Sequence, residues 1–258
     1  MNLTFYGLKD FPMVEPGDDL TGQIIDSLSV SDLVLQDDDI IVIAQKVVSK
    51  AEDRYLDLNS LTPSPEAIAL AQEVDKPPAK VQAILNESVE VVRKRPGVLI
   101  VEHRLGFVQA NAGIDQSNIE HAAEDPDSRC LLLPENPDAS ANAIREEIAG
   151  RLGIKVAVII NDSLGRAWRN GTLGLAIGVA GMAALESHIG GTDIFGRELL
   201  VTEVAVADEL AAGASLVMGQ TTEKTPVVVV RGYSPRVPEE NAKGVKPLIR
   251  ARETDMFR

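Results

Sequence analysis

A short aliphatic run that ends in polar residues is the feature that most constrains how this chain folds. Residues 154–160 have the composition of a buried β-strand, and Asn161, Asp162 and Ser163 follow directly. Removing a carboxylate from water at the end of a buried strand is costly unless something compensates its charge. A divalent cation with oxygen ligands is one such compensation. The alternative interpretation is that Asp162 and Ser163 form an ordinary turn.

Other segments show strand-like and helix-like patterns without a regular order. Aliphatic runs predict further strands at residues 40–43, 89–92, 98–101 and 227–230. Apolar residues at helical spacing predict helices within residues 18–28, 61–78, 80–86, 136–152 and 202–218. Because the two kinds of element do not alternate strictly, we predict an α+β fold with mixed sheets and packed helices.

The domain organisation follows from the absence of any repeat or low-complexity linker. We predict one domain over residues 1–258, or two intertwined subdomains within it. Residues 172–185 are rich in Gly and Ala and predict close packing in the core. Beyond Gly232 the sequence is polar and contains prolines, which predicts a mobile C-terminal tail from about residue 233.

The charge of the chain excludes some classes of protein. Its 258 residues carry a formal net charge of -14, which argues against nonspecific binding of nucleic acid or of an anionic membrane surface. The single cysteine, Cys130, cannot form an intrachain disulfide. With no signal pattern at its start and no apolar window of about 20 residues, the chain is expected in the cytoplasm.

The common nucleotide and zinc motifs are missing from the sequence. It contains neither a Gly-x4-Gly-Lys-Ser/Thr phosphate loop nor a Gly-x-Gly-x-x-Gly fingerprint, and no His-Glu-x-x-His motif. A nucleotide, if one binds, must therefore be held by another arrangement of residues.

A second polar cluster, residues 111–118 (NAGIDQSN), contains Asp115 and Asn118. If a helix begins near Asp115, its carboxylate is simply an N-cap. Metal ligation would instead need a second carboxylate from elsewhere in the chain, and Asp162 is the candidate.

Residues 165–171 (GRAWRNG) place Arg166, Arg169 and the single tryptophan, Trp168, in one glycine-flanked loop. Arginines in this position can hold anionic groups such as phosphates. Trp168 is equally consistent with a packing anchor.

Two further segments contain candidate phosphate-binding groups. Gln45, Lys46, Ser49 and Lys50 follow the predicted strand at residues 40–43, and the lysines can neutralise phosphates or can simply lie on a helix surface. The loop at residues 219–225 joins a predicted helix to a predicted strand and can close over a nucleotide or a metal.

Taken together, these segments resemble the coenzyme F-420-0:L-glutamate ligase (gamma-glutamyl ligase) family. The matching segments occur in the family order at residues 7–11 (GLKDF), 45–52 (QKVVSKAE), 111–118 (NAGIDQSN), 133–140 (LPENPDAS), 161–171 (NDSLGRAWRNG), 196–199 (GREL) and 202–210 (TEVAVADEL). The chain departs from the family pattern at Ser163, often threonine, and at Ala167, often proline.

The resemblance implies a single catalytic domain with the family's unusual intertwined dimeric fold. It also implies a GTP-dependent ligase that activates the terminal carboxylate of a phospholactyl-deazaflavin, coenzyme F-420-0, as an acyl phosphate. The amine of L-glutamate then attacks, and later rounds add gamma-linked glutamates. The implied cofactors are two divalent cations, magnesium or manganese, and a monovalent potassium ion. The implied assembly is a homodimer.

The resemblance also implies roles for individual residues. Asp115 and Asp162 are the metal-binding and catalytic carboxylates, with Ser163 and Gln220 at the second metal. The GTP site is implied at Leu8, Lys9, Asp10, Phe11, Gln45, Lys46, Lys50, Asn118, Gly219, Thr221 and Glu223. Arg166 is our own addition, as a catalytic residue that holds phosphates or substrate.

Three other functions remain open from the sequence. The first is a glutamate ligase acting on another acceptor, such as a folate, because the GTP and metal motifs do not distinguish acceptors. The second is a metal-dependent protein that binds or hydrolyses GTP without ligating. The third is a non-catalytic oligomeric binding module.

Overall fold

The computed structural model of the protein describes residues 2–121, 125–233 and 243–257. The helices are α1 (Leu20–Val30), α2 (Gln45–Ala51), α3 (Pro65–Val74), α4 (Pro78–Asn86), α5 (Pro137–Leu152) and α6 (Val206–Met218). The strands are β1 (Thr4–Gly7), β2 (Ile40–Ala44), β3 (Tyr55–Asp57), β4 (Ser88–Arg95), β5 (Val98–His103), β6 (Val108–Ala110), β7 (Arg129–Leu131), β8 (Ala157–Gly165), β9 (Thr172–Ala180), β10 (Glu186–Ser187), β11 (Glu203–Val204) and β12 (Val227–Arg231).

A five-stranded sheet in the order β1-β12-β2-β8-β9 lies at the centre of the fold. β2 and β8 run parallel, and the other neighbours run antiparallel. Helices cover both faces of this sheet. Val158 and Ile160 pack with α1, α2 and α5, whereas Ala157 and Ile159 pack with α6. This division follows from the two-residue period of side chains along a strand.

A smaller layer contains the three-stranded sheet β4-β5-β6 and the helices α3 and α4. Its core is aliphatic and includes Leu70, Val74, Ile84, Leu99 and Val101, all of them buried. The chain leaves this layer through β6 and then forms a bridge with β7. The segment that contains Asp115 therefore lies beside the separate two-stranded sheet β3-β7.

The exposed edge of the central sheet, β9, is capped by carboxylates from two helices. Asp208 of α6 accepts a hydrogen bond from the Ala176 N–H at 2.9 Å, and Asp138 of α5 accepts one from the Val179 N–H at 2.8 Å. Burial raises the pKa of both carboxyls. These contacts pair backbone donors that an edge strand would otherwise leave open.

Several sequence predictions are confirmed by these elements. The α+β class holds, whereas the intertwining of two chains stays a prediction. The helix predicted over residues 136–152 is α5, with Asn136 as its N-cap and with Gly153 at its end in the left-handed region, at φ 72°. The strands predicted at residues 89–92 and 98–101 are β4 and β5, which pair antiparallel. The Gly- and Ala-rich segment forms β9, whose C-terminal half is buried.

Three predictions about local structure are wrong. The predicted helix at residues 202–218 begins at Val206, because Glu203–Val204 instead pairs with Glu186–Ser187. Asp162 and Ser163 do not form a turn, because the antiparallel pairing with β9 continues through both residues. Asp115 does not cap a helix, because it pairs with Leu131 in an isolated bridge.

The C-terminal segment was predicted to be mobile from about residue 233. Residues 234–242 lie outside the described residues. Beyond them Val245 is buried on the α6 side of the sheet, and its N–H donates to Asp138 Oδ1 at 3.0 Å. This part of the segment therefore packs on the body of the protein. In the described parts of the chain, no helix is long and apolar enough to cross a membrane.

Candidate active site

Polar residues converge where β2 ends beside β8, which continues past it. The parallel register pairs Ala44, the last residue of β2, with Asn161 of β8. Gln45, which begins α2, and Asp162 therefore follow at the same end of the sheet. Ile160 and Leu164 pack into the cluster that contains α2, so the alternation along β8 places the Asp162 side chain on that same face.

Lys46 and Ser117 hold the Asp115 carboxylate in place. Lys46 Nζ lies 2.7 Å from Asp115 Oδ2, and it also donates to Ser117 Oγ at 2.9 Å and to Ser117 O at 3.2 Å. The Ser117 N–H and hydroxyl both donate to Asp115 Oδ1, at 2.7 and 2.8 Å. Each carboxylate oxygen thus has a donor, which fixes the orientation of the carboxylate. Ser117 was not among the predicted site residues, although it lies inside the 111–118 cluster.

The pKa of Asp115 reflects a balance between burial and these donors. Burial alone would raise this pKa, but the hydrogen bonds from Lys46 and Ser117 and the charge of Lys46 outweigh it. The pKa of Asp115 therefore lies below its ordinary value, and the carboxylate is ionised at neutral pH.

The pKa of Asp162 moves in the opposite direction, to about 6. Burial is the largest cause, and the negative charge of Asp115 adds to it. The Ser163 N–H, 2.8 Å from Asp162 Oδ1, and the charge of Lys46 lower the pKa only in part. Asp162 therefore interacts with both Asp115 and Lys46, and its negative charge is only partly compensated by the protein.

These groups fit a divalent cation that also binds a phosphorylated ligand. A cation beside Asp115 and Asp162 would relieve the repulsion that raises the pKa of Asp162. Within residues 2–121, 125–233 and 243–257, no group of three or more His, Cys, Asp or Glu side chains is arranged to hold a metal. Magnesium is commonly held by one or two carboxylates together with waters and substrate phosphates, so two aspartates suffice for such a site.

Lys50 adds a second positive charge one helical turn from Lys46. Its side chain is largely buried, and Nζ donates to the Asn118 carbonyl oxygen at 2.9 Å. Burial and the nearby charge of Lys46 lower the pKa of Lys50. The alternative that these lysines merely lie on a helix surface is wrong for Lys50. Both lysines of α2 bind the loop that contains Asp115 and Asn118.

Gln45 is also buried at this strand end. Its side chain is 3% exposed, and its Oε1 accepts a hydrogen bond from Ser49 Oγ at 2.9 Å. Gln45, one of the predicted nucleotide-binding residues, therefore pairs with Ser49 inside the protein and stabilises the first turn of α2.

The other predicted nucleotide segments, residues 8–11 and 219–225, approach each other beside β12. The Leu8 N–H donates to the Val227 carbonyl at 2.9 Å. A Cβ on Gly7 would lie 2.7 Å from Thr225 Cγ2, so only glycine permits this close approach. The side chains of Leu8 and Phe11 are buried in the core, which leaves only their backbone groups for a ligand.

The exposed side chains in these two segments are polar. Lys9 and Asp10 are exposed, and the Lys9 N–H donates to Ser31 Oγ at 2.9 Å. In the second segment, Glu223 accepts a hydrogen bond from the Thr221 N–H at 2.8 Å. Gly219 ends α6 at a positive φ of 72°. The two segments thus form a polar rim at the ends of β1 and α6.

Ser163 and Gln220 lie on the face of β8 opposite to Asp162. Ser163 pairs with Gly174, where a Cβ would lie 2.8 Å from the Ser215 Cβ of α6. Gln220 Nε2 donates to Ser215 Oγ at 2.9 Å. The two residues predicted for a second metal therefore share the α6 side, and the side chains of Asp162 and Ser163 leave the strand on opposite faces.

Asn161 is a polar residue of this face to which the sequence assigned no role. It is buried, and among the described residues its Oδ1 has no hydrogen-bond partner. Its Nδ2 lies 3.5 Å from Met218 Sδ. An unpaired buried oxygen beside Ser163 is a possible ligand for a cation. Its position directly before Asp162 was the signal available in the sequence.

Arg166 lies at the tip of the hairpin that joins β8 to β9. Its Nη1 donates to the Gly171 carbonyl at 2.9 Å. The tip is roughly 10 Å beyond Asp162, at about 3.3 Å per strand residue. Trp168 is 86% exposed and contacts Phe257 with ring centroids 6.4 Å apart, so it is not a core anchor. The described residues do not bring Arg166 to the Lys46–Asp115 pair, and its catalytic role stays a prediction.

Comparison with known proteins gives a consistent result. Residues 9–232 match the family model described as F420-0:Gamma-glutamyl ligase. The chain is 45% identical over 258 residues to a protein of Methanothermobacter thermautotrophicus named Coenzyme F420:L-glutamate ligase, with 100% of both chains covered. Proteins of the same name are 46% identical in Methanocaldococcus jannaschii, covering 90% of this chain and 91% of the relative, and 42% identical in Methanopyrus kandleri, covering 95% and 93%.

Proposed function

The chain belongs to the F420-0:gamma-glutamyl ligase family and is therefore a ligase, and we propose that it joins L-glutamate to the phospholactyl carboxylate of coenzyme F-420-0. In this proposal GTP transfers its terminal phosphoryl group to that carboxylate, which gives an acyl phosphate and GDP. The glutamate amine attacks the acyl carbon, an amide forms, and inorganic phosphate leaves. Later rounds add gamma-linked glutamates in the same way.

The observation that carries the proposal is the cluster of Lys46, Asp115 and Asp162 where β2 ends beside the parallel strand β8. We propose that Asp115 and Asp162 hold one divalent cation, magnesium or manganese, because their interaction raises the pKa of Asp162 to about 6. A bound cation would offset the charge on the phosphates during transfer. Ser117 keeps Asp115 oriented, so that the site is formed before substrate arrives.

A second divalent cation is proposed on the α6 side of β8. Ser163 and Gln220 offer a hydroxyl and an amide oxygen there, and Asn161 adds a buried oxygen without a partner among the described residues. Neutral oxygen ligands alone bind a cation weakly, so phosphate oxygens of the nucleotide would have to complete this site. A potassium ion, also implied by the family resemblance, is part of the proposal.

The nucleotide is proposed to bind along the rim formed by residues 8–11, by Lys46 and Lys50, by Asn118, and by Gly219, Thr221 and Glu223. Lys46 and Lys50 would neutralise phosphate charge, and burial makes each contact electrostatically stronger than in water. Because Leu8 and Phe11 are buried, they contribute backbone groups only. Gln45 stabilises α2 through its hydrogen bond with Ser49.

A homodimer is also part of the proposal. Large apolar side chains are exposed together near the β10–β11 pair: Ile194 is 91% exposed, Phe195 89%, Leu200 68% and Val201 85%. Several large apolar side chains exposed on one short segment favour an interface with another chain. Measurement of the molar mass in solution, with Phe195→Asp and Val201→Asp as disrupting variants, tests this part separately.

Two other functions compete with this proposal. The same cation and nucleotide residues would serve a ligase for another acceptor, such as a folate, or a protein that hydrolyses GTP without ligating. The experiment measures phosphate release from GTP with magnesium or manganese, with and without L-glutamate and F-420-0, followed by mass spectrometry of the acceptor. Release that requires both substrates, with a product heavier by glutamate units, supports the ligase.

The same experiment identifies the alternatives. Phosphate release that needs neither substrate would support hydrolysis, and a glutamylated folate would support another acceptor. Asp162→Asn is the matched inactive control, because it keeps the shape of the side chain and removes its charge. Replacing potassium by sodium in the buffer tests the monovalent ion.

A further inference from the structure

A cavity of about 460 Å³ lies beside the edge strand β9. It is lined by the turn between β5 and β6, by the N-terminus of α5 and by the C-terminal segment at residues 245–251, and it is open to solvent on one side. Cavities that bind small molecules in proteins usually have volumes of roughly 300–1,000 Å³. Nothing in the site described above uses this space.

The walls of the cavity are apolar on one side. Leu105, Phe107, Ile177 and Ile249 line it. Ile249 packs against the turn, since a Cβ on Gly106 would lie only 3.2 Å from Ile249 Cδ1. The C-terminal segment is therefore a fixed wall of the cavity, and the apolar side chains offer a surface for a flat ring.

Positive charges line the rest of the cavity, in a chain whose net charge is -14. Arg104, Lys246 and Arg250 all contribute to the wall. Arg104 is held in place by Glu87, with Nε 3.1 Å from Oε2. Asp138 also lines the cavity, but its carboxylate accepts hydrogen bonds from the backbone of Val179 and Val245. This arrangement favours an anion with an apolar part.

The cavity begins close to the candidate active site. Ile177 lies two residues from Leu175, which is the cross-strand partner of Asp162. Two strand residues span about 7 Å. Ile177 packs in the same core cluster as Ile160 and Leu164, so it lies on the face of the sheet to which Asp162 points.

We infer that this cavity binds the ring and the phosphodiester of the acceptor, an anionic molecule with a planar aromatic ring system. The inference rests on the proposed function and deepens it. The ring packs on Leu105, Phe107 and Ile249, and the phosphodiester meets Lys246 and Arg250. Only a few bonds separate this phosphate from the lactyl carboxylate, which then reaches the Asp115–Asp162 site.

The C-terminal segment continues from this cavity to the arginine loop. Arg250 lies 5.4 Å over the Phe257 ring, and Phe257 contacts Trp168 of the hairpin tip. Acceptor bound in the cavity therefore lies next to the segment that connects with Arg166. We therefore expect the C-terminal residues to contact the acceptor and not the nucleotide.

The test uses the charge reversals Lys246→Glu and Arg250→Glu in the full chain. Both side chains are exposed, so the fold should tolerate these changes, and thermal unfolding checks this. We expect the KM for F-420-0 to rise by about tenfold or more, as for loss of a charge-assisted phosphate contact, with the KM values for GTP and L-glutamate unchanged. Lys155→Glu, the same charge change at the opposite end of β8, is the matched control.

Direct binding separates this inference from the proposed function. The fluorescence anisotropy of F-420-0 reports its affinity without turnover, and the deazaflavin fragment that lacks the phospholactyl group serves as the comparison ligand. We expect Lys246→Glu to weaken binding of F-420-0 but not of the fragment, and Ile249→Asp to weaken both. An active wild type whose variants keep the wild-type KM and affinity would overturn the cavity assignment alone. A wild type that does not bind F-420-0 would overturn both the assignment and the proposed function.

Discussion

Asp162 and Arg166 lie four residues apart in one motif, yet the fold gives them opposite environments. Asp162 lies in β8 beside the end of β2, where burial and the charge of Asp115 raise its pKa to about 6. Arg166 lies at the tip of the β8–β9 hairpin, where its guanidinium donates to the Gly171 carbonyl. The first residue belongs to a rigid, charge-coupled cluster. The second lies on an extension that reaches beyond the other strands of the sheet.

The difference shows that residues of one sequence motif need not lie in the same site of the folded protein. β8 extends past β2 because its pairing with β9 continues to Gly165 and Thr172. The position of the Asp162 carboxylate is therefore set by the core. The positions of Arg166 and Arg169 depend instead on the contacts that the hairpin tip makes. Removing groups from each region should separate a requirement for chemistry from a requirement for binding.

The largest effect is expected from Asp162→Asn. Loss of this proposed metal ligand should lower kcat/KM by about a thousandfold, as for removal of a central electrostatic group. The folded-state pKa of Asp162 is raised, so ionisation destabilises the metal-free fold as pH rises from about 4 to about 6. The neutral variant should therefore unfold at the same or a higher temperature than wild type at pH 7.5 without divalent ions. A lower melting temperature together with normal activity would contradict the assignment.

Lys46→Ala should lower kcat/KM by about a hundredfold, because Asp115 loses its charged partner and the phosphates lose a cation. Steady-state kinetics with varied GTP and varied manganese measure this loss. Lys80→Ala is a control, since Lys80 lies in the smaller layer and donates to Gln116 Oε1 at 2.5 Å, next to the site but outside the cluster. Equal losses in the two variants would indicate a general disturbance of the loop and not a role of Lys46.

The affinity for a divalent cation should fall in acid. Protons compete with the cation at Asp162, whose pKa is about 6, so the apparent Kd for manganese should rise by about tenfold for each unit below that pH. Titration calorimetry between pH 5 and pH 8 measures this. In Asp162→Asn the slope should largely disappear, because Asp115 has a pKa below its ordinary value and stays ionised. A wild-type slope retained by the variant would place the titrating group elsewhere.

Arg166→Ala should have a smaller effect, of about tenfold, mainly on the KM for the acceptor. The guanidinium is bound to its own loop, so its loss leaves the Lys46–Asp115 pair intact. Arg169→Ala in the same loop is the matched comparison. A loss in kcat as large as that of Asp162→Asn would show that the hairpin tip acts in the chemical step, and that a contact absent from the single chain brings it there.

Ser117→Ala should give the smallest effect, a decrease of a few-fold in kcat/KM with a weaker affinity for manganese. The hydroxyl donates to Asp115 Oδ1 at 2.8 Å, but the Ser117 N–H still holds the same oxygen at 2.7 Å. Ser117→Thr, which keeps a hydroxyl, should recover most of the loss. Failure of the threonine variant to recover activity would indicate a packing defect and not a missing hydrogen bond.

Local sequence signals predicted the elements of the fold well where they are strong. The aliphatic runs became β2, β8 and β12, and the Asn136 and Gly153 caps define α5. The predicted start of α6 was wrong by four residues, because Glu203 and Val204 pair with β10, the preceding strand. The alternative interpretations of a turn at Asp162 and Ser163 and of an N-cap at Asp115 were wrong, because nothing local shows that a partner strand pairs with these residues.

Side-chain period, capping and motif order are local properties, so the strands, the helices, the polar clusters and the resemblance to the family can be derived from the sequence. The approach of Asp162 to Lys46 depends instead on the parallel pairing of β2 with β8, and Asp115 joins them through its contacts with Lys46 and Ser117. The position of Ser163 and Gln220 on the other face of β8, and the cavity with positive charges beside β9, likewise follow from tertiary contacts. Such contacts join residues that are far apart in the chain, and their free energies come from burial and pairing that a local pattern does not specify.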